Sequence, residues 1–264
     1  MPAQDAPPAL IPAERQNFIL AQLAREGVVS IARLTEALGV SHMTVRRDIR
    51  QLETEGRVTS VAGGVRLPER LLAEPQRSDK TAMMAAQKAA IGAVAAAMIP
   101  RGAVIYVDAG TTTQEIARRI VGRDDLTIVT NDFVVCATLG ASRSRLYHTG
   151  GAVERDNQSC VGQVAAAAIA RFAFDIAFIS APSWSLRGVT TPTEDKTVVK
   201  RAALDAAARG VLVADSAKYG LVGAFVAAPL TRLATLITDA GAPQAALAAA
   251  RRLGVEVRVA RSAE

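Results

Sequence analysis

Cysteine, histidine and aromatic residues are scarce here: two Cys, two His and 4% Phe, Trp and Tyr in 264 residues. Cys136, Cys160, His42 and His148 show no short ligand spacing, which argues against a structural zinc site, and two thiols build no disulfide framework. The cysteines therefore read as small buried hydrophobes rather than as a nucleophile paired with histidine, and neither metal nor cofactor is expected. No apolar stretch reaches membrane-spanning length without a charge or a Pro. The opening MPAQDAPPALIPAER lacks the basic-then-apolar order of a signal peptide, so a cytoplasmic protein with no membrane partner is expected.

What is present is an alternating pattern. Half of the chain is hydrophobic, Ala runs are frequent, and the length allows one or two domains, which predicts a soluble α/β protein. Residues 1–12 hold four of the eleven Pro and are expected to be a flexible tail. The net charge is +6, yet residues 1–70 carry nine Lys and Arg against eight Asp and Glu, a surplus of one. DNA binding must therefore be argued from local geometry, not bulk charge.

That geometry starts at Glu14, where Ile19, Leu20 and Leu23 fall on one helical face and Gly27 ends the run. Ser30 can cap a second helix with Ile31, Leu34 and Leu38 inward; Gly39 and Val40 make a turn; Ser41 can cap a third helix. In the third, Val45, Ile49 and Leu52 form the inner stripe, leaving His42, Thr44, Arg46, Arg47 and Arg50 to project elsewhere. A helix of this kind fits the major groove, its first residues near base edges and its Arg near phosphates or guanine. RVTSVAGGVR then reads as two short strands around Gly63 and Gly64, a small wing. Taken alone the Arg cluster could be only a solvated face, but helix, turn, capped helix and wing in that order point to double-stranded DNA.

The stretch SHMTVRRDIRQLETEGRVTSVAGG resembles the winged helix-turn-helix head of the DeoR family of bacterial transcriptional regulators, with its Ser/Thr-rich start, Arg-Arg-Asp triplet and Leu-Glu pair before Gly. The wing departs from the family's Arg-x-His-Gly-Gly, reading Ser60, Val61, Ala62, Gly63, Gly64. The resemblance implies DNA contacts from Ser41, His42, Thr44, Arg46, Arg47, Arg50, Gly63 and Gly64.

Residues 67–80 mix charge and Pro without periodicity and read as a linker between a head at 13–66 and a second domain at 81–264. That domain opens with a long Ala-rich helix from Thr81 to Met98. Strand candidates follow at 103–108, 126–130, 145–150, 174–180, 210–215, 234–239 and 254–259, alternating with helical stretches and so implying a mostly parallel sheet. In such sheets ligands bind at the carboxyl ends of the strands. There stand Asp108 with Gly110, Thr111, Thr112 and Thr113; Thr130 and Asn131; Gly150 and Gly151; and Asp215, Ser216 and Lys218. Each could be only a cap or a turn. Converging on one crevice, they suit a small hydroxylated anion, with the turn before Thr111 offering the free amides of a helix start to a phosphate.

The same motifs, DAGTTT, VTND, TGG, DSAKYG and ITDAG, resemble the DeoR family's sensor domain, which implies a fold similar to ribose-5-phosphate isomerase and a phosphorylated sugar or related metabolite as effector. By position this implies Lys88, Asp108, Gly110, Thr111, Thr112, Thr113, Asn131, Asp215 and Lys218 at the site. Two departures stand out: FISAPSW, where Ser180 and Ser183 replace glycines ahead of Trp184, and Lys196, where a Glu usually precedes Lys200 and Arg201. The expected protein is a homodimeric or homotetrameric repressor of a carbohydrate catabolic operon, without catalytic residues. An isomerase-like enzyme tethered to DNA and a constitutive DNA binder that has lost its effector are the alternatives.

Overall fold

The computed structural model describes residues 10–261, and the chain divides after Pro68 into two compact units. Residues 1–9 of the expected tail lie outside the described residues; its last residue, Pro12, is the first of a helix.

The first unit contains α1 (Pro12–Glu26), β1 (Val28–Ser30), α2 (Ile31–Leu38), α3 (His42–Thr54), β2 (Thr59–Val61) and β3 (Gly64–Arg66). Pro12 suits a helix start because its missing N–H would have had no partner there. Ser30 Oγ accepts from Arg33 N and Ser41 Oγ from Thr44 N, both at 3.2 Å, so both expected caps form. Gly39 ends α2 in the left-handed region at φ 62° and turns the chain into α3. Strand β1, absent from the sequence reading, pairs antiparallel with β3, which also pairs with β2. Ile19, Leu23, Leu34, Val45, Ile49, Leu52 and Val65 fill one core.

Polar ties fix α3 against its neighbours. In the Arg-Arg-Asp triplet only Asp48 points inward, receiving Arg15 Nε at 2.7 Å and Nη2 at 3.1 Å. Glu53 accepts from Ser60 N at 2.8 Å and ties the helix to β2.

The second unit opens with β4 (Glu69–Arg70), α4 (Arg77–Ala82) and α5 (Ala85–Ala96), followed by β5 (Val104–Val107), α6 (Thr111–Ile120), β6 (Thr127–Thr130), α7 (Phe133–Thr138) and β7 (Arg145–His148). A hairpin of β8 (Ala152–Glu154) and β9 (Ser159–Val161) leads to α8 (Gly162–Ile169), β10 (Phe174–Ser180), β11 (Ser183–Ser185), β12 (Gly188–Thr191) and α9 (Glu194–Asp205). The chain continues through β13 (Ala207–Val213), β14 (Leu221–Val222), β15 (Phe225–Ala228), β16 (Thr235–Asp239), α10 (Gln244–Arg252) and β17 (Glu256–Ala260).

All seven expected strands occur, as one parallel sheet in the order β17-β16-β13-β10-β5-β6-β7. Alternation along β5 sends Tyr106 into the core under α8, α9 and α10, and Ile105 and Val107 into the core under α5, α6 and α7. Small residues let helices approach: a Cβ on Gly92 of α5 would stand 2.5 Å from Glu115 Cβ of α6.

Two expectations give way. Of the linker at 67–80, residues 69–80 belong to the second unit, where β4 pairs with β14 and Arg77 starts α4. The long helix is two: Lys88 Nζ takes the Lys80 carbonyl, and Met84 turns left-handed at φ 54° to start α5.

Candidate functional site

Two surfaces hold the residues singled out by sequence. On α3, Ser41, His42, Arg46, Arg47 and Arg50 are exposed and Thr44 is half-buried, its hydroxyl 3.0 Å from Ser41 Oγ. Met43, absent from the sequence reading, is 66% exposed beside them. The stripe beneath is buried, so the helix presents a cationic outer face on a fixed base. The wing glycines separate. Gly63 is exposed in the turn at φ 74°, whereas Gly64 is buried in β3, where a Cβ would meet the Val29 carbonyl oxygen at 2.6 Å. Gly64 therefore lets β1 and β3 approach and offers no surface to a groove.

In the second unit the sheet order reverses between β10 and β5, the position at which parallel sheets open a crevice. A cavity of about 170 Å³ lies there, smaller than drug-sized pockets and suited to a small metabolite. Its lining includes Lys88, Asp108, Gly110, Thr111, Thr112, Asn131 and Lys218 from the expected set. Thr113, Asp215, Gly150 and Gly151 stand outside the lining. Thr113 is fully buried and its hydroxyl donates to the Gly110 carbonyl at 2.9 Å, closing the first turn of α6. Gly150 and Gly151 have φ of 67° and 119° and turn the chain after β7. Asp215 is buried just behind the wall; burial raises its carboxyl above the ordinary range, against the pull of Lys218 and Lys88.

The turn before α6 is held from below. No side chain caps the helix, and the Gly110 N–H donates at 3.0 Å to Asp132 Oδ2. The same oxygen receives Arg77 Nη1 at 2.6 Å, while Asp132 Oδ1 caps α7 through Val134 N at 2.7 Å and Val135 N at 2.9 Å. Gly110 also needs its missing Cβ, which would stand 2.8 Å from Ser180 Oγ. Asp108 is equally engaged: Oδ2 meets Lys200 Nζ at 2.5 Å and the Ser180 amide at 3.1 Å. Tyr106 OH donates to Asn131 Oδ1 at 2.9 Å, and Asn131 Nδ2 to the Cys160 carbonyl at 2.8 Å.

The sequence reading missed Glu74, Lys80, Asn157 and Lys200 as lining and placed Lys196 only as a departure. Glu74 Oε2 and Oε1 accept from Lys80 and Lys196, each at 2.8 Å. Burial would raise the Glu74 carboxyl, but the two ammonium groups outweigh it and hold it at about 2. Burial lowers Lys80 and Lys88; at Lys196 the same burial is overcome by Glu74 and Glu154 and its pKa is raised. The spacing of Lys196 and Lys200, four apart on α9, was the available signal. Of the FISAPSW loop, Ser180 lines the cavity, Ser183 Oγ donates to the Thr190 carbonyl at 2.8 Å, and Trp184 is buried against Tyr219 with centroids 4.7 Å apart. Trp184 is a core residue. Burial raises both thiols, Cys136 and Cys160, away from the nucleophilic form. Among the described residues no helix is long and apolar enough to cross a membrane.

Comparison with known proteins agrees with this division of labour. A model described as the DeoR-like helix-turn-helix domain matches residues 15–70, and one described as the DeoR C terminal sensor domain matches residues 83–240. An uncharacterized HTH-type transcriptional regulator, YgbI of Escherichia coli K12, is 48% identical over 96% of this chain and 100% of its own. A putative aga operon transcriptional repressor of Escherichia coli O157:H7 is 33% identical over 92% of each chain. The glycerol-3-phosphate regulon repressor of Escherichia coli K12 is 27% identical over 87% of this chain and 92% of its own. Likeness to the ribose 5-phosphate isomerase A of Methanocaldococcus jannaschii is slight, with a TM-score of 0.37 and 16% identity over 50% of this chain and 53% of that one.

Proposed function

Because this chain belongs to the DeoR family of transcriptional regulators, we propose that it represses a carbohydrate catabolic operon and is released from operator DNA by a phosphorylated sugar. The observation that carries this reading is the cavity at the sheet reversal, where an uncapped helix start and five lysines face two carboxylates. Free helix amides and ammonium groups are what a phosphate dianion requires. Asn131 and Asp108 are the groups for sugar hydroxyls. The printed roles of two relatives, an aga operon repressor and a glycerol-3-phosphate regulon repressor, lie in the same direction.

The cationic face of α3, with Gly63 in the wing, is the DNA reader, working in the cytoplasm as a homodimer or homotetramer because paired half-sites call for symmetric heads. Residues 67–82 run in sequence from the last strand of the head to the cavity wall, so the ligand and the DNA bias one another through this stretch. The coupling is reciprocal: whatever factor the effector costs DNA affinity, DNA costs effector affinity.

A sensor suits the cavity better than a catalyst does. Both lining carboxylates are engaged by lysine, and Glu74, held at about 2, is too weak a base to take a proton from a sugar carbon. The test is binding of the purified protein to its own promoter region at fixed salt, with a panel of sugar phosphates and their unphosphorylated counterparts. Release by a phosphorylated member and not by its counterpart is expected. Release by neither refutes the sensor assignment, and conversion of any sugar phosphate to a new product refutes the non-enzymatic one.

A further inference from the structure

The cavity holds more cation than a single phosphate needs. The start of α6, Lys88 and Lys218 suffice for a phosphate, and Lys200 is engaged by Asp108 at 2.5 Å. Lys80 and Lys196 remain, buried in the same lining; the cavity carboxylate they share is Glu74, and Lys196 also meets Glu154 at 3.2 Å from outside that lining. Each Glu74 oxygen takes one ammonium at 2.8 Å, and Lys80 donates also to Asn157 Oδ1 at 2.7 Å. Two ammonium groups on one carboxylate, one of them steadied by the Asn157 amide oxygen, make a receptor for a carboxylate.

Glu74 is also placed to leave. It lies between β4 and α4 in residues 71–76, which form neither helix nor strand. A second cavity of about 200 Å³ adjoins the far side of the bridge and shares Glu74, Pro75, Lys80, Asn157 and Lys196 with the first, so a displaced side chain has room. We propose that the Lys80–Lys196 pair is a carboxylate subsite which Glu74 fills until the effector arrives, and that the effector is a phosphorylated sugar acid rather than a neutral sugar phosphate. This rests on the sensor reading above and narrows its ligand. The acid's third negative charge takes over from Glu74, so no lysine is left buried without an anion. Lys196 is the selecting residue.

The test is calorimetric titration of the full-length protein with matched pairs, aldonate phosphates and alditol phosphates of three to six carbons, which differ only in carboxylate against hydroxymethyl. In the wild type one aldonate phosphate is expected to bind at least tenfold tighter than its alditol partner. Lys196→Gln is expected to bring the two members of that pair to within about twofold of each other, with a retained cooperative unfolding transition of Trp184 fluorescence as the control for folding. Glu74→Gln removes the internal competitor and tightens the aldonate phosphate several-fold. Equal binding within every pair, or a preference that survives Lys196→Gln, overturns the carboxylate subsite while the phosphate sensor stands. Weaker binding by a folded Glu74→Gln overturns displacement. If no phosphorylated compound binds, the sensor reading fails and this inference fails with it.

Discussion

Asp132 is the point at which stability and the cavity meet, and its substitution by Asn separates charge from shape. The side chain is wholly buried and accepts four hydrogen bonds, from Arg77, Gly110 N, Val134 N and Val135 N. Asn caps a helix about as well as Asp, so the two α7 bonds survive. The other oxygen becomes an amide NH₂, which faces the Arg77 guanidinium and the Gly110 N–H donor to donor. Arg77, itself buried, keeps only Gln114 Oε1 at 3.1 Å and the Asn157 carbonyl at 3.0 Å. Removing one partner of a buried ion pair costs roughly 3–5 kcal/mol. Arg77→Met leaves a carboxylate that still receives three backbone N–H groups and is expected to cost about 1–2 kcal/mol.

The two variants thus differ although they break the same pair, and the double variant should cost less than their sum. Trp184 is the single Trp and is fully buried in the second unit, so its fluorescence follows the urea unfolding of that unit. With a slope of roughly 2–3 kcal/mol per M, Asp132→Asn lowers the midpoint by about 1 M or more. The reasoning is refuted if Arg77→Met is as damaging as Asp132→Asn, or if the double variant is additive.

Lys218→Ala should leave promoter binding intact and abolish release by the effector; release at the normal effector concentration would remove Lys218 from the site. Arg47→Ala should weaken binding to operator and unrelated DNA alike and reduce the salt slope of log affinity by about 1, measured by fluorescence anisotropy across a salt series. The acid limb of stability follows Glu74. Its folded pKa, about 2, lies below the ordinary 4.5, so its contribution is complete above about pH 4.5 and is lost as pH falls toward 2. At about 1.4 kcal/mol per unit this is about 3 kcal/mol. Wild type should therefore lose more stability than Glu74→Gln between about pH 5 and pH 3, and parallel acid curves by Trp184 fluorescence would refute the assignment.

Strands β5, β6, β13 and β16 were legible because each carries an apolar, β-branched run that stops at a polar residue, and the caps at Ser30 and Ser41 were legible because a helix start needs a local acceptor. What failed was the stretch at 69–80. The partners of β4 lie at Leu221 and Val222, and those of Arg77 at Gln114, Asp132 and Asn157. Contacts of that sequence separation leave no period in the chain, so mixed charge and Pro read as a linker. The inward charges were in fact the contacts.

The departures at FISAPSW and Lys196 teach the same point from the other side. Four residues at these departures, Ser180, Ser183, Trp184 and Lys196, part company once direction is known. Ser183 sits in β11 and turns its hydroxyl to β12, while Trp184, next along the strand, goes to the opposite face and into the core. Ser180 ends β10 beside Gly110 and Asp108, so its hydroxyl and amide brace the turn. Only Lys196 adds a charge to the cavity, and a buried ammonium cannot stand alone. Its compensation is Glu74, 122 residues earlier in the chain, together with Glu154 at 3.2 Å. A reversed charge in a cavity wall thus changes two things together: the anion the wall can take up, and the residue that must occupy its place until that anion comes.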